Sequence, residues 1–129
     1  MSRARRADAS PARRRAWRRG RAAETLCVWH LRLRGWRVLA RGYRVPVGEI
    51  DIIARRGAVV AAIEVKARAN FAEASEAVGA RQRRRVARAF AQFLASRPRL
   101  AGLTLRFDVM LVAPRRLPAH MPDAWRLGE

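Results

Sequence analysis

The sequence predicts an α/β domain built on a mixed sheet. Two observations point there: the elements run in the order helix, strands, helix, strand, and two β-rich runs, residues 49–54 and 58–66, are joined by only "RRG", a short glycine-containing link that signals a hairpin. The length agrees, because 129 residues suit one domain with one core.

The first 21 residues carry nine arginines against a single acid, Asp8. Like charges at that density repel, and little apolar surface is present to offset the entropy of ordering, so a solvated basic arm is expected over residues 1–21, with one folded domain over 22–129. An arginine-rich, acid-poor start also resembles a mitochondrial transit peptide, but it lacks an apolar face. No secretory apolar segment is present, so a cytoplasmic location is expected.

From residue 22 to 34, "AAETLCVWHLRLR" sets Ala23, Leu26, Cys27, His30, Leu31 and Leu33 near helical spacing, and Gly35 supplies a stop. Glu24 is the only acid in this helix, and an ion pair with a neighbouring arginine is its simplest role. Residues 36–47, "WRVLARGYRVPV", read as an extended strand ending near Gly42 or Pro46. The hairpin follows. After a loop through Asn70, residues 73–98 hold Val78, Val86, Phe90, Phe93 and Leu94 at helical spacing, ending before Pro98. That helix opens with Arg81, Arg83, Arg84, Arg85 and Arg88, either a solvated face or a phosphate-binding one. The last strand spans 103–112, with Leu103, Leu105, Phe107, Val109 and Leu111 on one side.

Composition narrows the function. Half of the residues are hydrophobic and 30% are charged, as in globular proteins, and no apolar run approaches the ~20 residues that cross a bilayer. One cysteine and two histidines exclude a disulfide framework and thiolate- or imidazole-rich metal sites. With 29 basic residues against 10 acidic ones the formal charge is +19, which makes nucleic acid the leading partner. Of the basic residues 28 are arginine and one is lysine, Lys66. GC-rich codons favour arginine over lysine wherever either serves, so the surviving lysine points to a role that needs an ammonium group.

Alternation along the second hairpin strand puts Val60, Ala62, Glu64 and Lys66 on one face and the apolar set Val59, Ala61, Ile63 and Val65 on the other. A two- or four-residue turn places Asp51 opposite Ala62 and diagonal to Glu64, about 7–8 Å away, whereas a three-residue turn separates the two acids onto opposite faces. If they converge, the pair needs a cation. Mg2+ (or Mn2+) suits two carboxylates, with the Val65 carbonyl as a further oxygen and Lys66 beside the attacking water. That set suits metal-assisted phosphodiester hydrolysis. Against it stands the frequency with which Glu-hydrophobe-Lys arises by chance as a weak surface pair.

"GEIDIIA" followed by "IEVKAR", with "AAE" in the first helix, "GYR" at Gly42–Arg44, "RFDV" at Arg106–Val109 and "HMPDAW" at His120–Trp125, resembles the YraN-like family of bacterial proteins. The core of that family is similar to the restriction-endonuclease-like fold of PD-(D/E)xK nucleases and Holliday junction resolvases, a central mixed sheet flanked by helices. The resemblance implies that Asp51 and Glu64 are metal ligands, that Lys66 is the catalytic lysine, that Glu24 joins the metal site and that Arg68 touches a phosphate. DNA rather than RNA is expected as the substrate, branched or structured DNA above a specific sequence because the sequence shows no evident reading helix, and analogy with resolvases suggests a homodimer. Gln82 and its arginine neighbours depart from a lysine-containing pattern, and Gly42 stands where asparagine is common. Two readings compete with a nuclease: a nucleic-acid-binding module that keeps the scaffold without cleavage, and a basic assembly protein.

Overall fold

Short connections set the first half of the sheet and a long crossover sets the second. The computed structural model describes residues 11–67 and 79–127. Its elements are α1 (Pro11–Leu33), β1 (Arg37–Val45), β2 (Gly48–Arg56), β3 (Val59–Lys66), α2 (Ala80–Ala95), a 3-10 turn (Pro98–Leu100), β4 (Thr104–Leu111) and β5 (Ala119–Met121). Tight turns make β1, β2 and β3 an antiparallel meander. Gly57 opens the β2–β3 turn at φ +59°, a left-handed conformation that glycine adopts at no steric cost. The chain then crosses through α2, and β4 pairs parallel to β3, as such a crossover requires. The short β5 closes the far edge antiparallel to β4, giving the order β1-β2-β3-β4-β5. The sheet is mixed, as the sequence predicts, and compatible with a restriction-endonuclease-like arrangement.

Helices cover both faces. On one, Cys27, Val28 and Leu31 of α1 pack with Ile52, Ala54, Ala61, Ile63 and Met110; on the other, Val86, Ala89, Phe90 and Phe93 of α2 pack with Ile53, Val60, Ala62 and Val109. A central strand between two helical layers has no polar face to spare, so β3 is apolar on both sides rather than on one. Its single charged buried residue is Glu64, 3% exposed.

Several boundaries differ from the sequence reading. The helix expected from residue 22 begins at Pro11, so the basic arm is helical from there on; proline suits a first helical position, and alanine and arginine are strong helix formers. Residues 1–10 lie outside the described residues, as do Val78 and the loop through Asn70. Within α1, Val28 is buried while Leu26 and Leu33 are exposed, because the sheet takes only the stripe through Ala23, Cys27, Val28 and Leu31. β5 was not anticipated, since three residues are too few to show a period.

Two contacts fix the layers. A Cβ at Gly48 would lie 2.7 Å from the carbonyl carbon of Arg85, so only glycine lets the first residue of β2 meet the α2 backbone. At the other end Asp108, fully buried, accepts two hydrogen bonds from Arg106 (2.9 Å each) and one from the Asp123 N–H (2.9 Å), and sits 2.6 Å from His120 Nε2. Burial raises the Asp108 carboxyl, but the bonds to His120, Arg106 and the Asp123 N–H outweigh it and hold the group below its ordinary value. These bonds tie β5 and the turn after it to β4.

Candidate active site

The β2–β3 ladder runs from Arg56↔Val59 to Ile52↔Ile63 and stops there. One position further the same register sets Asp51 across from Glu64. The turn holds Gly57 and Ala58, so the register is shifted from the one expected, and Asp51 is directly opposite Glu64 rather than opposite Ala62; the parity that keeps both acids together is the one the sequence reading required. At Asp51 the strand also loses its alternation. Ile50 and Ile53 both face the α2 cluster, while Ile52 and Ala54 face α1. On β1, Gly42 lies between the pairs Arg41↔Ile52 and Tyr43↔Ile50, and so opposite Asp51, with φ +61°. The irregularity frees the Asp51 side chain to enter the gap between β2 and β3, where its Oδ2 accepts the Val65 N–H at 2.8 Å.

Glu64 and Lys66 meet α2 through one residue. Gln82 donates from Nε2 to Glu64 Oε2 at 2.9 Å and accepts at Oε1 from Lys66 Nζ at 3.4 Å. The second Glu64 oxygen, Oε1, is buried with no hydrogen-bond partner. Burial, then the Asp51 charge, push the Glu64 carboxyl up to about 8, against a smaller opposing pull from Lys66. Asp51 is raised too, by burial, with the Val65 N–H and Lys66 acting the other way. Gln82 is a site residue whose role the sequence did not reveal; the signal was a lone amide in "RQRRR".

Glu24 approaches from α1. It lines a cleft of about 300 Å³ with Arg21, Gly42, Arg44, Glu49 and Asp51. Its carboxyl is raised, first by burial and next by Asp51, while Arg41 and Arg21 lower it. Arg41 Nε lies 3.7 Å from Glu24 Oε1, an ion pair too long for a hydrogen bond, so this buried oxygen also has no hydrogen-bond partner. The neighbouring Cys27 thiol is pushed up to about 12 by burial and the two carboxylates, which makes it inert.

The donor set fits a hard divalent cation. A buried carboxyl with an unpartnered oxygen, raised by burial and by the half-buried Asp51 beside it, is what such an ion relieves. Val65 meets the site through its N–H. Among the described residues no three His, Cys, Asp or Glu side chains are gathered at metal-binding distance, so Glu24 adjoins the Asp51–Glu64 pair without completing a three-acid cluster.

The arginines of α2 form a separate group. Arg81 and Arg84 are exposed, and Arg83 lies over the Trp125 ring at 5.4 Å. Arg83 and Arg84 line a cleft of about 580 Å³ with Arg88 and Arg126. Ala80, Arg84, Ala87, Arg88 and Ala91 fall on the side of α2 opposite Gln82 by helical period. The structure therefore turns Arg84 and Arg88 away from the acids. Arg68 lies outside the described residues. No helix among the described residues is long and apolar enough to cross a membrane.

Residues 23–112 match the profile of the Uncharacterised protein family UPF0102. A UPF0102 protein of Parvibaculum lavamentivorans is 53% identical over 111 residues, covering 86% of this chain and 84% of its own. Another, from Paramagnetospirillum magneticum, is 50% identical over 125 residues, covering 94% and 97%. A third, from Bradyrhizobium diazoefficiens, is 49% identical over 117 residues, covering 91% and 88%. The chain belongs to this family.

Proposed function

We propose that this member of the UPF0102 family is a metal-dependent endonuclease that hydrolyses DNA phosphodiesters, using Mg2+ or Mn2+ held by Asp51 and Glu64. The observation that carries the reading is the opposition of these two acids at the end of the β2–β3 ladder, with Glu64 Oε1 buried and unpartnered. A cation bound there would polarise a phosphoryl oxygen and help to lower the pKa of a water. The chain's own groups do the rest. The Val65 N–H holds one Asp51 oxygen in place, Gln82 orients Glu64, and Lys66 offers an ammonium group to charge that develops on phosphoryl oxygens. Glu24, which shares a cleft with Asp51, serves as an outer acid. The +19 charge draws in the polyanion, and branched or structured DNA is the proposed substrate class.

A second reading, a nucleic-acid-binding module without cleavage, is favoured by one observation: Glu24 is engaged by Arg41 and no three-acid cluster forms among the described residues. One experiment separates the two. Wild type, Asp51→Ala and Lys66→Ala are incubated with a panel of duplex, branched and single-stranded DNA in Mg2+ or Mn2+. Cleavage by wild type and not by the variants supports the nuclease, and binding without cleavage supports the module. Equal cleavage by all three would assign the activity to a contaminant or another site.

A further inference from the structure

The acid cleft has a neighbour on α1. Thr25, Val28, Trp29 and Arg32 of α1 and Val38 to Arg41 of β1 line a groove of about 480 Å³. Its wall is Trp29, 58% exposed on a helix whose buried stripe is satisfied without it. Exposing an indole to water forgoes the burial such a ring ordinarily gains, and Leu26 and Leu33, exposed on the same helix, widen the apolar surface. Val28 and Val38 lie at its base and the rim is cationic. Arg32 lies over the Trp29 ring at 5.8 Å, and Arg41 donates from Nη2 to Thr25 Oγ1 at 2.6 Å.

Arg41 also joins this groove to the acids, because its Nε faces Glu24 across the lip between the two clefts. Any chain bound at Asp51 and Glu64 and running along α1 therefore reaches Trp29 next. A second copy or an apolar partner would have to bury Arg32, a cation with no acid among the groove's lining residues, whereas a polyanion neutralises it; Arg41 is shared with Glu24 at the lip. A flat indole between guanidinium groups is a stacking platform of the kind single strands use, the ring taking a base face and the cations the flanking phosphates.

We propose that the Trp29 groove binds an unpaired nucleobase, so that the substrate of the adjoining acid site contains single-stranded nucleotides. The assignment deepens the nuclease reading and rests on it for the link to cleavage, but base binding in the groove is measurable without it.

The test uses fluorescently labelled DNA in EDTA, where cleavage does not interfere. Anisotropy titrations compare wild type, Trp29→Ala and Trp29→Phe on a single-stranded oligonucleotide and a blunt duplex of equal length. The expected result is about a tenfold loss of single-strand affinity for Trp29→Ala, most of it restored by Trp29→Phe, with duplex affinity unchanged. Unchanged single-strand binding by Trp29→Ala, or equal losses on both substrates, would overturn the proposal. So would a concentration-dependent wild-type dimer, seen by sedimentation, that Trp29→Ala abolishes, since that would give the surface to a second copy. Cleavage by wild type in Mg2+ is read separately: groove binding without any cleavage would remove the nuclease reading and leave the groove, and cleavage with a silent groove the reverse.

Discussion

The main-chain N–H of Val65 donates to the carboxylate of Asp51 across the end of the β2–β3 ladder. A bond that would continue the sheet is diverted to an acid, which fixes that acid beside Glu64. Asp51→Asn keeps an acceptor for Val65 and removes the charge. It should preserve the melting temperature within ~2 °C while lowering Mg2+-dependent cleavage by ~100-fold or more, as loss of one preorganised charge does. Cleavage rates beside melting curves decide this; a variant equally active would show that Asp51 is a structural acid.

Glu64 should make metal binding proton-coupled. Its carboxyl titrates near 8 instead of at the ordinary 4.5, so at pH 7 it carries a proton that a cation must displace. Calorimetry in buffers of different ionisation enthalpy should give release of close to one proton per Mg2+ at pH 7, falling towards zero above pH 9. The same shift sets a stability slope. The folded chain holds a proton that the unfolded one has lost between pH 4.5 and about 8, so metal-free stability declines as pH rises across that window, and Glu64→Gln should flatten the decline.

Lys66→Arg keeps the positive charge but replaces a compact ammonium by a planar fork. Lys66 Nζ reaches Gln82 Oε1 in a space shared with Glu64, and a guanidinium there would collide with or displace the amide. A fall in kcat of ~100-fold with substrate affinity within about twofold is expected. Equal turnover would make the single lysine an accident of codon usage.

Asp108 should govern the acid limb of stability. Its carboxyl is held below the ordinary 3.8, so its contribution is complete above that value and is lost as pH falls through the depressed one. Asp108→Asn leaves Arg106 without its carboxylate and should cost ~3–5 kcal/mol in urea unfolding at pH 7.

Gly48→Ala should displace α2. The obstacle is the Arg85 backbone, which cannot rotate away, so a loss of ~1–3 kcal/mol or more is expected from chemical denaturation. Because α2 carries Gln82, cleavage should fall further than stability alone explains.

Most of the fold was legible because period and punctuation agreed. The hairpin announced itself through Gly57, and β4 through alternate apolar residues. What stayed hidden depended on depth and distance. Composition near residues 11–21 suggested repulsion, yet local helix propensity carries α1 through them. Asp51, Glu64 and Lys66 could be singled out as residue types, but their register rested on one turn residue, Ala58, that alternation could not place. Gln82 and the Asp108 cluster needed the tertiary fold, since their partners come from strands and turns far along the chain.

The single parallel pairing in the sheet has a kinetic consequence. Joining β3 to β4 closes a loop over residues 67–103, whereas the meander that carries Asp51 and Glu64 closes through two-residue turns. Loop closure grows slower with separation, so in refolding the hairpin that positions the two acids is expected to form first and the late strand to seal it. Pulse-labelled hydrogen exchange should therefore show amides of Ile52, Ala54 and Ile63 protected earlier in refolding than those of Val109 and Met110.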